Sequence, residues 1–241
     1  MQSIPRSEFY AGVKATLPLI VGAIPFGIIF GTLAETSGLS AWGAMAMSVF
    51  VYAGSSQFIA LGLLAAGAAL PIIILTTFVV NLRHLLYAAN LVPKTGHLPL
   101  RWRVMMAFGL TDETFAAVSN RFLRESSHST AHWFYLGSFL AMYGNWILCT
   151  FIGIVLGGLF PDMTDWGLDF AMSVTFIGMV VPYLTNRPMW GAVLVAGAMA
   201  VATAFMPHKL GLIVAALCGI AVGLSLSLRQ SQRTKTLQEA E

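Results

Sequence analysis

The sequence predicts an all-α, polytopic membrane protein with 7-8 transmembrane helices, some broken, and a weak internal repeat whose second copy would be inverted. Three observations carry that expectation. Its 241 residues are 57% hydrophobic and only 10% charged, against roughly 25% charged in a soluble globular domain. The charges are unevenly spread, leaving charge-free stretches over 36–82, 126–161, 188–208 and 210–228, each as long as a bilayer-crossing candidate of about 18 residues or more. Spans of about 20 residues consume most of the chain, so only short loops remain and a soluble catalytic domain is excluded. The expected organisation is a single transmembrane domain over 1–228 and a polar cytoplasmic tail over 229–241.

The first segment runs from about Gly12 to Ala34. Its apolar run is longer than a secretory signal core and holds two prolines, so it reads as an uncleaved first span. Pro18, Gly22, Pro25, Gly27 and Gly31 make it a helix built to be interrupted near its middle. The second segment, about Leu39 to Ala66, is too long for one untilted span, and Ala53-Gly54-Ser55-Ser56-Gln57 halfway along predicts a break or a re-entrant turn. The third runs from about Ala69 to Leu91 and carries Asn81, Arg83, His84 and Tyr87 in its second half. After the basic loop Pro93 to Arg103 comes a short stretch, Val104 to Ser119, with Asp112 and Glu113 in its middle. It is apolar on one side only, so crossing the bilayer, dipping into it and lying along its surface all remain open.

A polar connector, Asn120 to Thr130, leads to a fifth segment from about His132 to Leu159, and a sixth follows from about Leu168 to Thr185. Arg187 and Pro188 mark a tight junction before two last spans, about Met189 to Phe205 and Leu210 to Leu228; the tail beyond reads as frayed. Trp42-Gly43 before Ala46-Met47-Ser48 and Trp166-Gly167 before Ala171-Met172-Ser173 supply the repeat, an arrangement found in secondary transporters. Counting Lys and Arg gives eight inside and four outside if 104–119 crosses, or nine and three if it does not. The positive-inside rule does not separate these, and both put the C-terminal tail in the cytoplasm.

Composition also argues against nucleic acid, metals and cofactors. The net charge of +3 comes from bases at the ends of apolar segments, not from the solid blocks a nucleic-acid binder needs. Cys149 and Cys218 lie inside apolar segments and predict neither a disulfide nor a metal site. Glu125, His128 and His132 fall on one helical face, yet their Ser-rich connector favours an exposed surface over a metal site. No hydrolase or phosphate-loop signature occurs, so no cofactor and no enzyme is expected.

Three places could carry chemistry. Interrupted helices free backbone groups that are tolerated at membrane depth only in protein or beside water, and half-helix N-termini suit a carboxylate. Ile24-Pro25-Phe26-Gly27 and Ala53-Gly54-Ser55-Ser56-Gln57 are such places; the competing reading is that Pro and small residues serve helix packing. Asn81 and Arg83 form the second, because an intramembrane charge is costly unless paired or able to snorkel to the interface. Asp112 and Glu113 form the third, as partners of Arg83 or as proton carriers if buried, and merely as solvated acids if 104–119 lies on the surface.

Read together, Gly22-Ala23-Ile24-Pro25-Phe26-Gly27, Ser48 with Ala53 to Phe58, Asn81-Leu82-Arg83-His84-Leu85-Leu86-Tyr87, Thr111-Asp112-Glu113-Thr114-Phe115 and Gly167-Leu168-Asp169-Phe170-Ala171 resemble the AzlC family, the large subunits of bacterial branched-chain amino-acid exporters. These motifs cover about 20–175 in family order, and the last two spans carry none. The resemblance implies a secondary transporter of the bacterial inner membrane, driven by the proton-motive force, that exports valine, leucine, isoleucine and methionine with a small hydrophobic AzlD-type subunit. On that reading Pro25, Phe26, Gly27, Gly54, Ser55, Ser56, Gln57, Phe58 and Asn81 hold the amino acid. Arg83, His84, Asp112, Glu113 and Asp169 form a gate or couple protons. A passive small-solute channel and a non-transporting assembly subunit are the alternatives.

Overall fold

The computed structural model describes residues 4–124, 130–159, 177, 181, 184–206 and 210–238. Among them every regular element is helical. The chain sorts into two compact units, Met1–Gly67 with Ile73–Met172 and Ala68–Ile72 with Ser173–Glu241, and each is described by itself.

The first unit is built on two long helices, α1 (Ile4–Thr36) and α7 (Ala131–Leu159). Their contacts rise together along both sequences: Gly137 meets Phe9, Gly27 meets Cys149 and Gly157 meets Thr32, so the two run parallel. Small residues set how close they lie. A Cβ at Gly31 would run into the Thr150 carbonyl, and one at Gly153 into that of Ile28, which is the small-residue packing of membrane helices. The Thr16 and Ser138 hydroxyls are hydrogen-bonded at 2.7 Å, and Thr32 donates to the Gly153 carbonyl at 3.0 Å.

This corrects one expectation. α1 is not interrupted at Pro25 but continues through both Pro18 and Pro25. A proline removes one helical hydrogen bond, and here packing along α7 holds the axis together regardless.

The second expected segment does break. Ser40 caps α2 (Ala41–Ala46), its side chain accepting from the Gly43 amide at 3.1 Å, and a π-helical turn over Met47–Val51 carries the helix to Tyr52. Tyr52 sits in the left-handed region at φ 45°, where a Cβ is disfavoured. Ala53 is extended, and α3 (Gly54–Ala65) follows. Levels along α7 give the direction. Ser48 bonds to Thr150, Tyr52 packs on Phe139 and Tyr143, and Gln57 bonds to Trp146. Phe58 then packs on Phe30, which lies one residue before the Gly31 that meets Thr150. The chain thus moves toward the start of α7, turns at Tyr52 and moves back.

After α4 (Leu70–Thr95), the stretch expected at 104–119 is two helices, α5 (Leu100–Phe108) and α6 (Asp112–Arg124). Trp102 at the start of α5 packs on His132 and Trp133 in the first turn of α7. Gly109 at the turn meets Phe139, one to two turns farther in. Arg121 then pairs with Glu8 near the start of α1 and lies over the Phe134 ring. Both ends of this hairpin therefore sit at the same end of the α1–α7 pair. At about 1.5 Å per residue, the 12 residues of α3 or 13 of α6 reach roughly 20 Å, short of a ~30 Å hydrocarbon core. Of the readings open for 104–119, the geometry is that of a dip and return.

The first unit thus holds three helices long and apolar enough to cross a membrane, α1, α4 and α7, and two helical hairpins that enter from opposite ends and meet by their tips. In the second unit, Asn186 caps α8 (Arg187–Ala202), accepting from the Met189 amide at 3.0 Å. Gly219 and Gly223 of α9 (Leu210–Gln238) pack on Ala192 and Ala196. The helix continues past Leu228 through Gln238, so the stretch expected to fray is helical that far. Most of the sixth segment, the Trp166-Gly167 repeat copy, Asp169, Glu125 and His128 lie outside the described residues.

Candidate functional site

The polar side chains of the first unit gather where the two hairpins turn. α7 braces both turns from one face. Tyr143 donates to the Val49 carbonyl at 2.9 Å, Tyr135 donates to the Met106 carbonyl at 2.6 Å, and Phe139 packs between them on Tyr52, Phe108 and Gly109. These residues recur every four positions and so share one helical face. Carbonyls next to a helix break would otherwise be unsatisfied in an apolar setting.

Behind the first turn lies a closed hydrogen-bond chain. Gln57 donates to Ser48 at 3.0 Å and accepts from the Trp146 indole at 3.0 Å, while the Ser48 and Thr150 hydroxyls lie 2.8 Å apart. Gln57, Ser48 and Thr150 are fully buried. Phe58, also fully buried, stands edge-on to Phe30, which stacks near Trp146. The Trp146 ring covers Gly54 so closely that a Cβ there would lie 2.9 Å from it.

In front of the same turn, α4 meets the N-termini of α3 and α6. Ser56 donates to Asn81 at 2.6 Å. Arg83 donates to Ser55 and pairs with Asp112 at 3.0 Å, while Tyr87 donates to the other Asp112 oxygen at 2.6 Å. Tyr87 also stacks on Phe115 with ring centroids 4.4 Å apart. Arg83 and Asp112 side chains are 28% and 19% exposed, partly desolvated, so Arg83 is paired and does not merely snorkel away.

The electrostatics favour an anion. Asp112 neutralises Arg83 as a pair, but the guanidinium stands between two helix N-termini, each carrying roughly half a positive charge. α3 has no side-chain cap, and the Arg83 Nε is buried without a hydrogen-bond partner. A carboxylate placed there would satisfy donors that are otherwise unused.

Of the residues singled out from sequence, the structure brings Ser55, Ser56, Asn81, Arg83 and Asp112 into one cluster. Glu113 follows Asp112 on α6, and His84 lies on α4 with its ring edge-on to Tyr87 at 5.9 Å. Gln57, Phe58 and Gly54 sit behind the turn. Pro25, Phe26 and Gly27 are on α1, away from this cluster: Pro25 is exposed, Phe26 is half-buried and Gly27 packs against Cys149 of α7. His132 lies in the first turn of α7 against Trp102. Sequence reasoning named Tyr87 in the third segment but gave it no role, although its place four residues after Arg83 put both on one face. Tyr52, Trp146 and Thr150 carried no signal beyond being polar or aromatic in an apolar run.

Comparison with known proteins gives the same segment weight. The family model described as AzlC protein matches residues 18–160. The chain is 30% identical to an inner membrane protein, YgaZ, of Escherichia coli, over 95% of this chain and 94% of that protein. It is 35% identical to an uncharacterized membrane protein of Archaeoglobus fulgidus, over 91% and 96%. A branched-chain amino acid transport protein, AzlC, of Bacillus subtilis is 30% identical over 71% and 68%. No solved structure gives a significant match. With both hairpins, the bracing helix and the charged cluster inside the matched segment, the chain belongs to the AzlC family.

Proposed function

We propose that this protein is a secondary transporter that exports branched-chain amino acids, namely valine, leucine, isoleucine and also methionine, across the bacterial inner membrane. It is proton-coupled and works with a small hydrophobic AzlD-type subunit. A membrane transport role follows from its family and from the relative named as a branched-chain amino acid transport protein.

The observation that carries it is Arg83, held between two half-helix N-termini with its Nε unpartnered. The substrate carboxylate docks on Arg83 and the Ser55–Ser56 end of α3, and Asn81 orients it. Residues of the turn limit the space for the apolar side chain. Because Asp112 already holds Arg83, an arriving carboxylate competes with it, and that exchange links binding to movement of α6.

The test is valine efflux from preloaded cells lacking the protein, regaining it alone, and regaining it with its small partner, each with and without an uncoupler. Efflux that requires the protein and collapses with uncoupler is expected. Flux that follows the valine gradient and ignores uncoupler would instead make it a passive channel.

A further inference from the structure

Three tyrosines meet at the crossing of the two hairpin tips, and two of them are spent on backbone carbonyls. The third is different. Tyr52 is 4% exposed and its hydroxyl is buried with no hydrogen-bond partner, yet Tyr52 is also the one non-glycine residue with positive φ among those described. A buried orphan donor and a disfavoured backbone conformation both cost free energy and persist where the surroundings hold them for a use. Thr111 and Glu113 of the opposite hairpin act electrostatically on that hydroxyl.

Glu113 differs from its neighbour in having no ionic partner among the described residues. Asp112 is committed, with one oxygen on Arg83 and the other on Tyr87. Among the described residues no cation lies within ion-pair distance of Glu113. The groups that bear on it are Asp112 on its own helix, Arg83 from α4, Thr111 at the turn and Tyr52 from the first hairpin. From α7 the Tyr135 and Tyr143 phenols bear on Tyr52. From α1, Glu8 is engaged with Arg121 at the far end of α6.

We propose that Glu113 is the group that takes up and releases the transported proton, with the Tyr52 hydroxyl as its partner across the hairpin tips. In the charged state the Tyr52 phenol, unpartnered in this structure, turns onto a carboxylate oxygen and donates to it. When a solvent proton binds, the carboxyl becomes neutral, its O–H donates and the phenol oxygen accepts, so one Tyr52–Glu113 hydrogen bond would serve both states and no other reactant is needed. Protonation removes one negative charge from the place where the two hairpins meet, and it leaves the Arg83–Asp112 pair in place. This rests on the proton-coupled reading and deepens it by assigning the proton to Glu113 and the gate to Asp112.

Two measurements test it on the full chain with its small partner in lipid. One is the pH profile of valine transport in proteoliposomes. The other is the infrared carbonyl band of protonated carboxyl groups, titrated in nanodiscs, which needs no transport. Glu113→Gln is expected to flatten the pH profile and remove one titrating carboxyl band, Glu113→Asp to restore a pH-dependent rate, and Tyr52→Phe to move the midpoint of both by about one pH unit. An unchanged profile and band in Glu113→Gln would overturn the proposal, as would loss of the band in Asp112→Asn instead, or a rate that follows sodium and not protons. A wild-type protein that moves no valine but shows the Glu113 band would sink the transport reading and leave this one standing.

Discussion

A charge inside a membrane protein is informative because it is expensive, on the order of 3 kcal/mol for arginine at mid-span on insertion scales. Arg83 spreads that cost over Ser55 and Asp112, and Asp112 in turn over Tyr87. Removing one member leaves the other desolvated and alone, which costs more than removing both. In a double-mutant cycle of Arg83→Ala and Asp112→Ala, unfolding in detergent should show coupling of about 0.5–3 kcal/mol. The double variant should be no less stable than the worse single one. Additive losses would mean that the pair is not formed in the folded protein. Tyr87→Phe removes only a hydroxyl that donates to an anion, so its expected cost is about 1.5–3 kcal/mol with Phe115 stacking retained.

At the scale of elements, the two apolar segments rich in glycine behave in opposite ways. Pro25 and the glycines around it suggest a break when α1 is read alone; their real partner, α7, lies more than a hundred residues away and cannot be seen from local sequence. The break at Ala53–Gln57 was legible because the polar residues Ser55, Ser56 and Gln57 sit where a continuous span has no use for them. Val104–Ser119 stayed open because one-sided polarity fits a surface helix as well as half of a hairpin. Its depth is set by Trp102, Phe139 and Glu8, all from contacts distant in sequence. The packing role of the glycines of α1 and α7 makes a contrast that can be measured. Gly153→Ala and Gly31→Ala push a methyl into a backbone carbonyl of the other helix and should lower stability by about 1–3 kcal/mol. Gly22→Ala and Gly144→Ala meet nothing within 4 Å and should be neutral or stabilising by up to about 1 kcal/mol. Equal effects in all four would argue against the α1–α7 seam.

For the whole molecule, the charged and polar half of the site was legible, since Asn81, Arg83 and Asp112 are conspicuous in apolar segments, whereas Tyr52 was not, because its backbone conformation and orphaned hydroxyl exist only in the fold. Orientation was ambiguous for a related reason: counting bases requires knowing which segments cross. Once both hairpins return to the end they entered from, Arg6, Lys14, Lys94, Arg101, Arg103 and Arg121 all collect toward the end of the first unit that holds the starts of α1 and α7. The turns at the opposite end, 37–40 and 66–67, carry no Lys or Arg. The positive-inside rule predicts that the basic end faces the cytoplasm. A re-entrant first hairpin therefore places Ala66 outside and His97 inside, whereas a second segment that crossed would bring Ala66 to the same side as the start of α1. Single cysteines at these two exposed positions, in a background with Cys149 and Cys218 replaced, separate the cases. With a membrane-impermeant maleimide on cells with a permeabilised outer membrane, Ala66→Cys should label in intact spheroplasts and His97→Cys only after lysis. Protection of Ala66→Cys until lysis would show that the α2–α3 segment crosses the bilayer and that the hairpin reading of the first unit is wrong.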